Sequence, residues 1–402
     1  MNPSFDVVIA GGGAAGLALA LALKKAAGKA LSIAICDPAI DHDVRGDSRA
    51  YAIVSGVRRF LESFEAWEAI ASEAQPILGM DITDSALEEL VRPKLLDLDT
   101  SDVSDGAFAH MVPNRVLLAA LVARVRASDI ALFPANITSF ERNGARVLAR
   151  TDSQTLSARL LVGADGKKSR VRENAGISFY GWSYDQTGIT ATISHSLPHE
   201  GRAVQHFLPS GPFALLPLKG NRSSIVWSEQ STTANRLLRR DLEELKAQID
   251  QRSGGVVGTI LAVEDIAAFP LSLGIARTFT ADRLALLGDA AHAMHPIAGQ
   301  GLNYGLRGAA ALAEAILDTA RLGLDIGSTH TLEAYESSRR ADVVQMLAAT
   351  DGLIRLFSND SNALRVARDA GLGIVNRLPW LKNRIVARAS GSIGPSPQVF
   401  RS

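Results

Sequence analysis

The chain has 402 residues, with 42 acidic and 42 basic side chains and a single cysteine, Cys36. This length exceeds one ordinary hydrophobic core, so it predicts two closely packed domains with room for a buried cofactor. The balanced charge leaves no overall field that would attract nucleic acid, and one cysteine excludes an internal disulfide framework, a CxxC redox centre and a cysteine-rich zinc site.

The N-terminal segment is apolar but lacks the features of an export signal. Residues 1–6 carry no basic side chain, and four glycines in a defined pattern interrupt the apolar run 7–23. No window reaches about 18 apolar residues without a charge or a Gly-rich break, so a membrane-spanning helix is not expected. We therefore expect a cytoplasmic protein that contacts a membrane only peripherally, at its inner face.

The first predicted elements form a strand, a turn, a helix and a second strand. Residues 5–10 and 31–36 predict the strands and residues 17–27 the helix, which together favour a parallel α/β sheet. The turn Gly11-Gly12-Gly13-Ala14-Ala15-Gly16 fits GxGxxG, whose glycines let a pyrophosphate approach the helix N-terminus. Asp37, 21 positions after Gly16, is placed to accept hydrogen bonds from a ribose. The unit predicts a dinucleotide-binding fold.

Between about Tyr180 and Phe269 the pattern changes to short strands, which predict an antiparallel sheet in a second domain. These strands are predicted at 188–194, 203–208, 213–218 and 223–228. A strand at 283–287 and an Ala-rich helix at 303–317 then resume the first fold, so that domain is discontinuous. We assign residues 1–72, 100–178 and 276–345 to the cofactor domain, 73–99 and 179–275 to the substrate domain, and 346–402 to a C-terminal helical region.

Two further motifs place an aspartate and a glycine at a strand end. Asp165-Gly166 alone has the pattern of a mere turn. The other motif is longer: it begins with Gly288-Asp289 and continues through His295-Pro296 to Gly299-Gln300-Gly301-Leu302-Asn303, before a helix. There Asp289 can accept a hydrogen bond from a ribityl hydroxyl, and backbone N–H groups would stabilise negative charge on a reduced flavin. Together the three motifs indicate a non-covalently held FAD.

These motifs resemble those of the single-component, FAD-dependent aromatic hydroxylases of the para-hydroxybenzoate hydroxylase type, and in particular the ubiquinone-biosynthesis hydroxylases. Further segments share the resemblance: Asp47 to Ile53, Asn114-Arg115, Phe207 to Pro212, Leu215 to Leu218 and Tyr335 to Asp351. The resemblance implies an α/β protein, with a Rossmann-like FAD-binding domain, an inserted antiparallel β-sheet substrate domain and a helical C-terminus. Asp37 departs from this type, which commonly carries Glu there, but a shorter acid can make the same ribose contact.

The same resemblance implies a reaction. NAD(P)H reduces the flavin, O2 adds to give a C4a-hydroperoxide, and one oxygen passes to the aromatic ring of a polyprenylated phenol on the route to ubiquinone. It also implies that Arg49 and Arg115 help to hold FAD, that Pro296 and the loop 299–303 flank the flavin ring, and that NAD(P)H binds transiently near Asp165 and Arg49.

No residue of the sequence identifies itself as a catalytic base. His206, His292 and His295 are candidates for assisting phenol deprotonation, although a lone histidine is more often structural. We retain His206, together with Pro296, as the catalytic candidates.

The C-terminal region from Met346 combines apolar residues with an excess of basic ones. Such a segment lies on an anionic membrane, docks on a partner or packs on its own domain. The resemblance favours the membrane surface or other ubiquinone-biosynthesis proteins, because the family's substrates carry a polyprenyl tail.

Three alternative functions stay open. The chain is a flavin monooxygenase of a small soluble aromatic, a flavin halogenase, or a non-catalytic subunit that retains FAD only for stability within a biosynthetic complex. A halogenase would carry a Trp-x-Trp-x-Ile-Pro segment, which the sequence lacks. The intact loop from Pro296 to Asn303 disfavours the non-catalytic subunit, which has no need of backbone dipoles beside a reduced flavin.

Overall fold

A computed structural model describes residues 2–41, 49–84, 87, 92, 94–100, 106–296 and 299–357. Its strands are β1 (Ser4–Ala10), β2 (Ile33–Cys36), β3 (Ala50–Val54), β4 (Gln75–Ile77), β5 (Gly79–Asp84), β6 (Lys94–Asp99), β7 (Ala109–Pro113), β8 (Ala131–Phe133), β9 (Ser139–Asn143), β10 (Arg146–Arg150), β11 (Thr155–Gly163), β12 (Phe179–His195), β13 (Arg202–Leu208), β14 (Gly211–Leu218), β15 (Arg222–Gln230), β16 (Ile260–Ala276), β17 (Thr280–Ala281), β18 (Leu284–Leu286) and β19 (His292–Ala293). Its helices are α1 (Ala14–Ala27), α2 (Ser55–Ser63), α3 (Trp67–Ala71), α4 (Asn114–Arg126), α5 (Arg170–Asn174), α6 (Ser231–Leu237), α7 (Leu242–Ser253), α8 (Gly301–Arg321) and α9 (Thr329–Phe357).

The first sheet is the Rossmann-like one, with strand order β17-β18-β11-β1-β2-β8 and with β10 and β9 joined to β11. Strand β1 pairs in parallel with β2 and β11, and β11 pairs in parallel with β18. Consecutive residues Val7, Val8 and Ile9 are all fully buried, as expected for a central parallel strand covered on both faces. Helix α1 packs against α4 and α8. The carboxyl ends of the parallel strands therefore share one edge.

The second sheet has strand order β19-β16-β12-β15-β14-β13-β5-β6. One face, which we call the far face, carries Ile189, Ile193 and Trp227 and packs against α6 and α7. The opposite face, the near face, contributes Ala203 and Leu218 to the main core around the first sheet. A substrate that contacts both domains would meet the near face.

The predicted fold class is confirmed. A third, small sheet of β3, β7 and β4 contacts β14 of the second sheet and helix α8. The inserted sheet consists of β5, β6, β12 to β16 and β19, and it is antiparallel except where β5 pairs in parallel with β13. The predicted domain boundary at 345/346 falls inside the continuous helix α9, while residues 358–402, Asp47 and Ser48 lie outside the described residues. No helix in the described ranges is both long and apolar enough to cross a bilayer.

Candidate active site

Three neighbouring strands bring the three predicted motifs together. Gly11 follows β1, Ala164 follows β11 and Leu287 follows β18, and each is held by a backbone hydrogen bond to the next strand. The Gly11 N–H donates to the Cys36 carbonyl over 2.8 Å, and the Ala164 N–H donates to the Ala10 carbonyl over 2.7 Å. The Leu287 N–H donates to the Gly163 carbonyl over 2.8 Å. Motifs separated by more than a hundred residues therefore form one cleft at the carboxyl edge of the sheet, where open α/β sheets bind ligands.

The glycines of the first motif serve different purposes. Gly11 has φ +115°, and a Cβ there would overlap the carbonyl oxygen of Ala164; a Cβ at Gly16 would overlap the carbonyl oxygen of Gly11. The fold itself therefore requires glycine at Gly11 and Gly16, because any side chain there would overlap the backbone. At Gly13, in contrast, a Cβ would meet none of the described atoms within 4 Å. The space above Gly13 is open, as close approach of a ligand to the backbone requires.

Asp37 directly follows β2 and is fixed against the Gly-rich turn that precedes helix α1. Its Oδ2 accepts from the Gly12 N–H over 2.6 Å and its Oδ1 from the Ala39 N–H over 2.7 Å. Each oxygen keeps a second lone pair with which to accept from a ribose hydroxyl. A cavity of about 410 Å³ lies here, lined by Gly11, Gly13, Asp37, Asn136, Asp165, Gly166, Lys168 and Arg170 among others.

The second motif forms a braced turn. The carboxylate of Asp165 accepts from the Ser169 hydroxyl over 2.5 Å and from the Val171 N–H over 3.1 Å. The buried Arg172 donates to the carbonyls of Lys167 and Ala290, which ties this turn to the third motif. Asp165 therefore shapes the cavity wall, and a direct contact between its side chain and FAD stays a prediction.

The third motif packs tightly against the start of the first. Gly288 has φ +61°, and a Cβ there would lie 3.6 Å from Cβ of Ala15, while a Cβ at Gly305 would lie 3.6 Å from Cα of Gly288. The side chain of Asp289 is surrounded by protein yet open to solvent, as at the floor of a cleft. Burial raises the pKa of Asp289, and the nearby cations Arg49 and Lys167 act in the opposite direction.

The loop before helix α8 is held by Asn303, which is fully buried. Its Oδ1 accepts from the Val54 N–H over 3.2 Å, and its Nδ2 donates to the carbonyls of Ala52 and Gly299 over 2.8 and 3.3 Å. The carbonyl of Pro296 accepts from the Gly299 N–H over 2.8 Å. Asn303 therefore positions the loop, whereas Gln300, Gly301 and Leu302 are half-buried at the helix start.

Arg49 and Arg115 lie at the same edge of the small sheet. The Asn114 N–H donates to the Arg49 carbonyl over 2.7 Å, and Ala50 pairs with Pro113 in the adjoining ladder. The guanidinium of Arg49 lies 5.8 Å from the Tyr51 ring centroid. Because Asn303 bonds Val54 and Ala52 of β3, the structure brings this small sheet to the third motif.

The structure does not bring His206 to the other predicted residues. His206 is two residues from both Val204 and Leu208, which belong to the far-face cluster, so its ring lies on that same face and points away from the cleft. Its Nδ1 bonds the hydroxyl of Thr83. Burial, and then the charge of Arg92, lower the pKa of His206 to about 4. A catalytic role for this residue would require contact across the sheet.

The other two histidines lie closer to the third motif. Burial lowers the pKa of His292 to about 3 and that of His295 to about 4. The His295 ring lies 5.3 Å from the ring of Tyr184 on β12, edge to face. Since a general base works best with a pKa near the working pH, neither environment favours that role.

Sequence reasoning missed a buried charged cluster beside the cleft. Arg339 donates to Asp342 over 2.9 Å, Arg307 lies 3.7 Å from the same carboxylate, and the Tyr304 hydroxyl donates to it over 3.2 Å. Arg339 and Asp342 lie in the segment from Tyr335 to Asp351, whose sequence indicates the family but not a buried ion pair. The i,i+3 spacing of Arg339 and Asp342 marks an ion pair on a helix, but its burial depends on how α8 and α9 pack.

The residues of the cleft fit an FAD. Open space above Gly13 accommodates a pyrophosphate, with the cations Lys168 and Arg170 lining the same cavity. Asp37 and Asp289 are the carboxylates predicted to accept hydrogen bonds from ribose and ribityl hydroxyls, respectively. The N-terminus of the 21-residue helix α8 supplies a positive dipole end at the third motif.

Comparisons with known proteins agree with this fit. The family model described as FAD binding domain matches residues 4–350. Ubiquinone hydroxylase UbiL of Rhodospirillum rubrum is 42% identical over 400 residues, covering 98% of this chain and 91% of the relative. Ubiquinone biosynthesis monooxygenase COQ6 of Mus musculus is 33% identical over an alignment of 439 residues, which covers 96% of this chain and 91% of the relative. The crystal structure of p-nitrophenol 4-monooxygenase PnpA from Pseudomonas putida shares the fold, with TM-score 0.79, 19% identity and coverage of 96% and 98%.

Proposed function

This chain belongs to the FAD-dependent hydroxylases of ubiquinone biosynthesis, and from that premise we propose that it adds one oxygen atom from O2 to the aromatic ring of a polyprenylated phenol. FAD is its cofactor, and NAD(P)H and O2 are its cosubstrates. The observation that carries the proposal is the convergence of Gly13, Asp165 and Asp289 on one cleft that faces the inserted sheet.

The chain's own residues would bind the cofactor and exclude water. Gly13, Asp37 and Asp289 would hold the dinucleotide, with Arg49 and Arg115 at the adjoining edge. When bound, FAD supplies the electrons taken from NAD(P)H and the activation of O2. Asn303 fixes the loop before α8, whose backbone N–H groups would face the flavin, and the inserted sheet would close the cleft against bulk water.

The substrate ring would lie between the third motif and the near face. Strand β19 pairs with β16 through Ala293 and Gly274, which fastens the motif to the inserted sheet. Thr190, in the middle of β12, alternates with the far-face residues Ile189 and Ala191 and therefore points to the near face. It is 8% exposed, and its hydroxyl has no hydrogen-bond partner among the described residues. A buried hydroxyl of this kind would hydrogen-bond a polar group of a ligand held against the near face, which is compatible with a phenolic substrate.

The function is tested by turnover of the FAD-loaded protein. We expect a short-chain prenylated phenol to stimulate NAD(P)H oxidation at least about tenfold, equivalent to about 1.4 kcal/mol of barrier, and mass spectrometry to find a product with one additional oxygen. The same ring without its prenyl chain is the matched control. Equal turnover of both compounds would identify a monooxygenase of small soluble aromatics. Bound FAD without turnover on any prenylated phenol would identify a non-catalytic subunit.

An exposed patch leads from the surface to the third motif. It consists of Tyr180, Trp182, Leu353, Arg355 and Leu356, and we call it the apolar margin. The four apolar members are 57%, 45%, 40% and 38% exposed. The Arg355 guanidinium lies 5.6 Å from the Trp182 ring centroid, and Trp182 contacts Tyr184, which contacts His295. Aromatic rings, leucines and a cation are the side chains that favour a membrane interface.

We propose that the apolar margin rests on an anionic lipid surface, from which a prenylated substrate enters. Replacing Trp182 with alanine and Leu353 with serine should weaken binding to phosphatidylglycerol vesicles about tenfold per residue, because each buries apolar area worth roughly 1.5–3 kcal/mol. Vesicle sedimentation measures this. Leu322→Ser changes a leucine that is more exposed than Leu353, 74% against 40%, and that lies just beyond the C-terminal end of α8; it should leave vesicle binding unchanged. Equal effects of Leu353→Ser and Leu322→Ser would reject this surface.

A further inference from the structure

The cluster formed by Arg307, Arg339 and Asp342 contains two cations and one carboxylate inside the protein. The three residues are 5%, 1% and 8% exposed, respectively. Asp342 Oδ2 lies 2.9 Å from Nη1 of Arg339 and 3.7 Å from Nη1 of Arg307. One carboxylate therefore serves both guanidinium groups. We call these three residues the arginine cluster.

The remaining polar neighbours of the arginine cluster are uncharged at physiological pH. Burial, and then Asp342, raise the pKa of Tyr304 to about 12. Burial, and then Arg339, lower the pKa of His292 to about 3. Burial also raises the pKa of Tyr335 well above its usual range. Within the described part of the chain, the arginine cluster therefore has one net positive charge.

The hydrogen bonding of the two guanidinium groups is incomplete. Nε and Nη2 of both Arg307 and Arg339 are buried without a hydrogen-bond partner among the described residues. Buried charge that is not fully paired destabilises a fold. The arginine cluster is therefore an arrangement that helix packing alone does not explain.

The arginine cluster lies directly behind the N-terminus of α8. Tyr304 follows Asn303 in the first turn of α8, and Arg307 comes six residues after the first helical residue, Gly301. At 1.5 Å of rise per residue, Arg307 is about 9 Å along the helix from the third motif. The positive end of the helix dipole and the net charge of the arginine cluster therefore have the same sign at the same cleft.

We propose that the arginine cluster stabilises the negative charge of reduced FAD relative to oxidised FAD, and so raises the reduction potential of the bound cofactor. A positive charge in a low-dielectric interior acts over about 10 Å with little screening. The inference rests on the FAD binding in the proposed function and is independent of the substrate. In this proposal Arg307, Arg339 and Asp342 are positioning residues, whose charges act on the flavin through the electric field at the loop before α8.

Two substitutions should shift the potential in opposite directions. Arg307→Met removes the net positive charge and should lower the ratio of affinities for reduced and oxidised FAD about tenfold, which is about 30 mV for a two-electron couple. Asp342→Asn removes the carboxylate of the arginine cluster and so raises its net charge from one to two. It should raise the ratio of affinities for reduced and oxidised FAD by a similar factor. Spectroelectrochemical titration of the protein-bound flavin, without substrate, measures both. If the arginine cluster were only structural, both variants would be less stable, but their flavin reduction potentials would not shift in opposite directions.

Two further variants keep the inference falsifiable. Arg283→Met removes a buried arginine that pairs with Asp325 at the other end of β18, and it should leave the potential unchanged. Arg307→Lys keeps the charge and should retain the native potential. If Arg307→Met does not hold FAD, Arg339→Met replaces it in the comparison. Shifts of the same sign, or none, would overturn the inference, whereas a native chain that binds no FAD would overturn the proposed function instead.

Discussion

Replacing Gly13 with valine is expected to abolish tight FAD binding while the protein without cofactor stays folded. The backbone at Gly13 has φ −73°, which any residue adopts, and a Cβ there meets none of the described atoms within 4 Å. The added side chain would therefore collide only with a ligand. We expect FAD affinity, measured by fluorescence titration, to fall about 100-fold, equivalent to about 2.7 kcal/mol.

Two other glycines provide controls for this result. Gly11→Val should prevent folding of the cofactor domain, because the new Cβ overlaps the Ala164 carbonyl and φ is +115°. Gly352→Val places the same side chain in open space on α9 and should change neither the FAD affinity nor the stability of the protein without cofactor. Native FAD affinity in Gly13→Val would show that the pyrophosphate does not lie above this residue. A loss of apoprotein stability as large as that of Gly11→Val would make its role structural.

Replacing Arg252 with methionine is expected to destabilise the substrate domain by about 3–5 kcal/mol. Arg252 Nη2 lies 3.3 Å from Oε2 of Glu229, and the side chains are 6% and 4% exposed. The guanidinium also lies 4.1 Å from the Trp227 ring centroid, within the far-face core. Removing it leaves the Glu229 carboxylate buried without its cation. The free energy of unfolding, measured in urea, reports the loss.

The matching double variant separates lost pairing from lost packing. Arg252→Met combined with Glu229→Leu removes both charges and should recover much of the stability, because an apolar pair can replace a buried ion pair. Arg240→Met breaks the exposed pair with Glu244 and should cost at most about 1 kcal/mol. Equal losses in the single and double variants would mean that packing against Trp227, rather than charge, sets the effect.

The parts of the site that depend on local sequence could be predicted. Glycines at Gly11 and Gly16 and the acid at Asp37 have fixed spacings within one βαβ unit, so their geometry follows from chain connectivity. The strand pattern also located β13 to β15 within two residues at each end, because alternation is a local property, whereas β12 begins at Phe179, nine residues before its predicted start at 188. The joining of Asp289 to this unit required only that β18 be a neighbouring parallel strand.

Features that depend on tertiary packing could not be predicted. The alternation around His206 shows that it shares a face with Val204 and Leu208, but not which face of the inserted sheet meets the cofactor domain. The arginine cluster likewise depends on the contact between α8 and α9. Asn303 was predicted as a ligand of FAD from its place in a motif. Two of its three hydrogen bonds, those to Val54 and Ala52, depend on a strand some 250 residues earlier.

The pairing of Phe179 with Ala276 has a consequence for the assembly of the chain. These residues are the two ends of the inserted segment, and they are register partners in the ladder between β12 and β16. Once that ladder forms, the loop that separates β11 from β18 is shortened by about two doublings of length, which lowers its closure entropy by roughly 1–2 kcal/mol. For the first sheet, the inserted domain then acts as a crossover connection of ordinary length between the parallel strands β11 and β18.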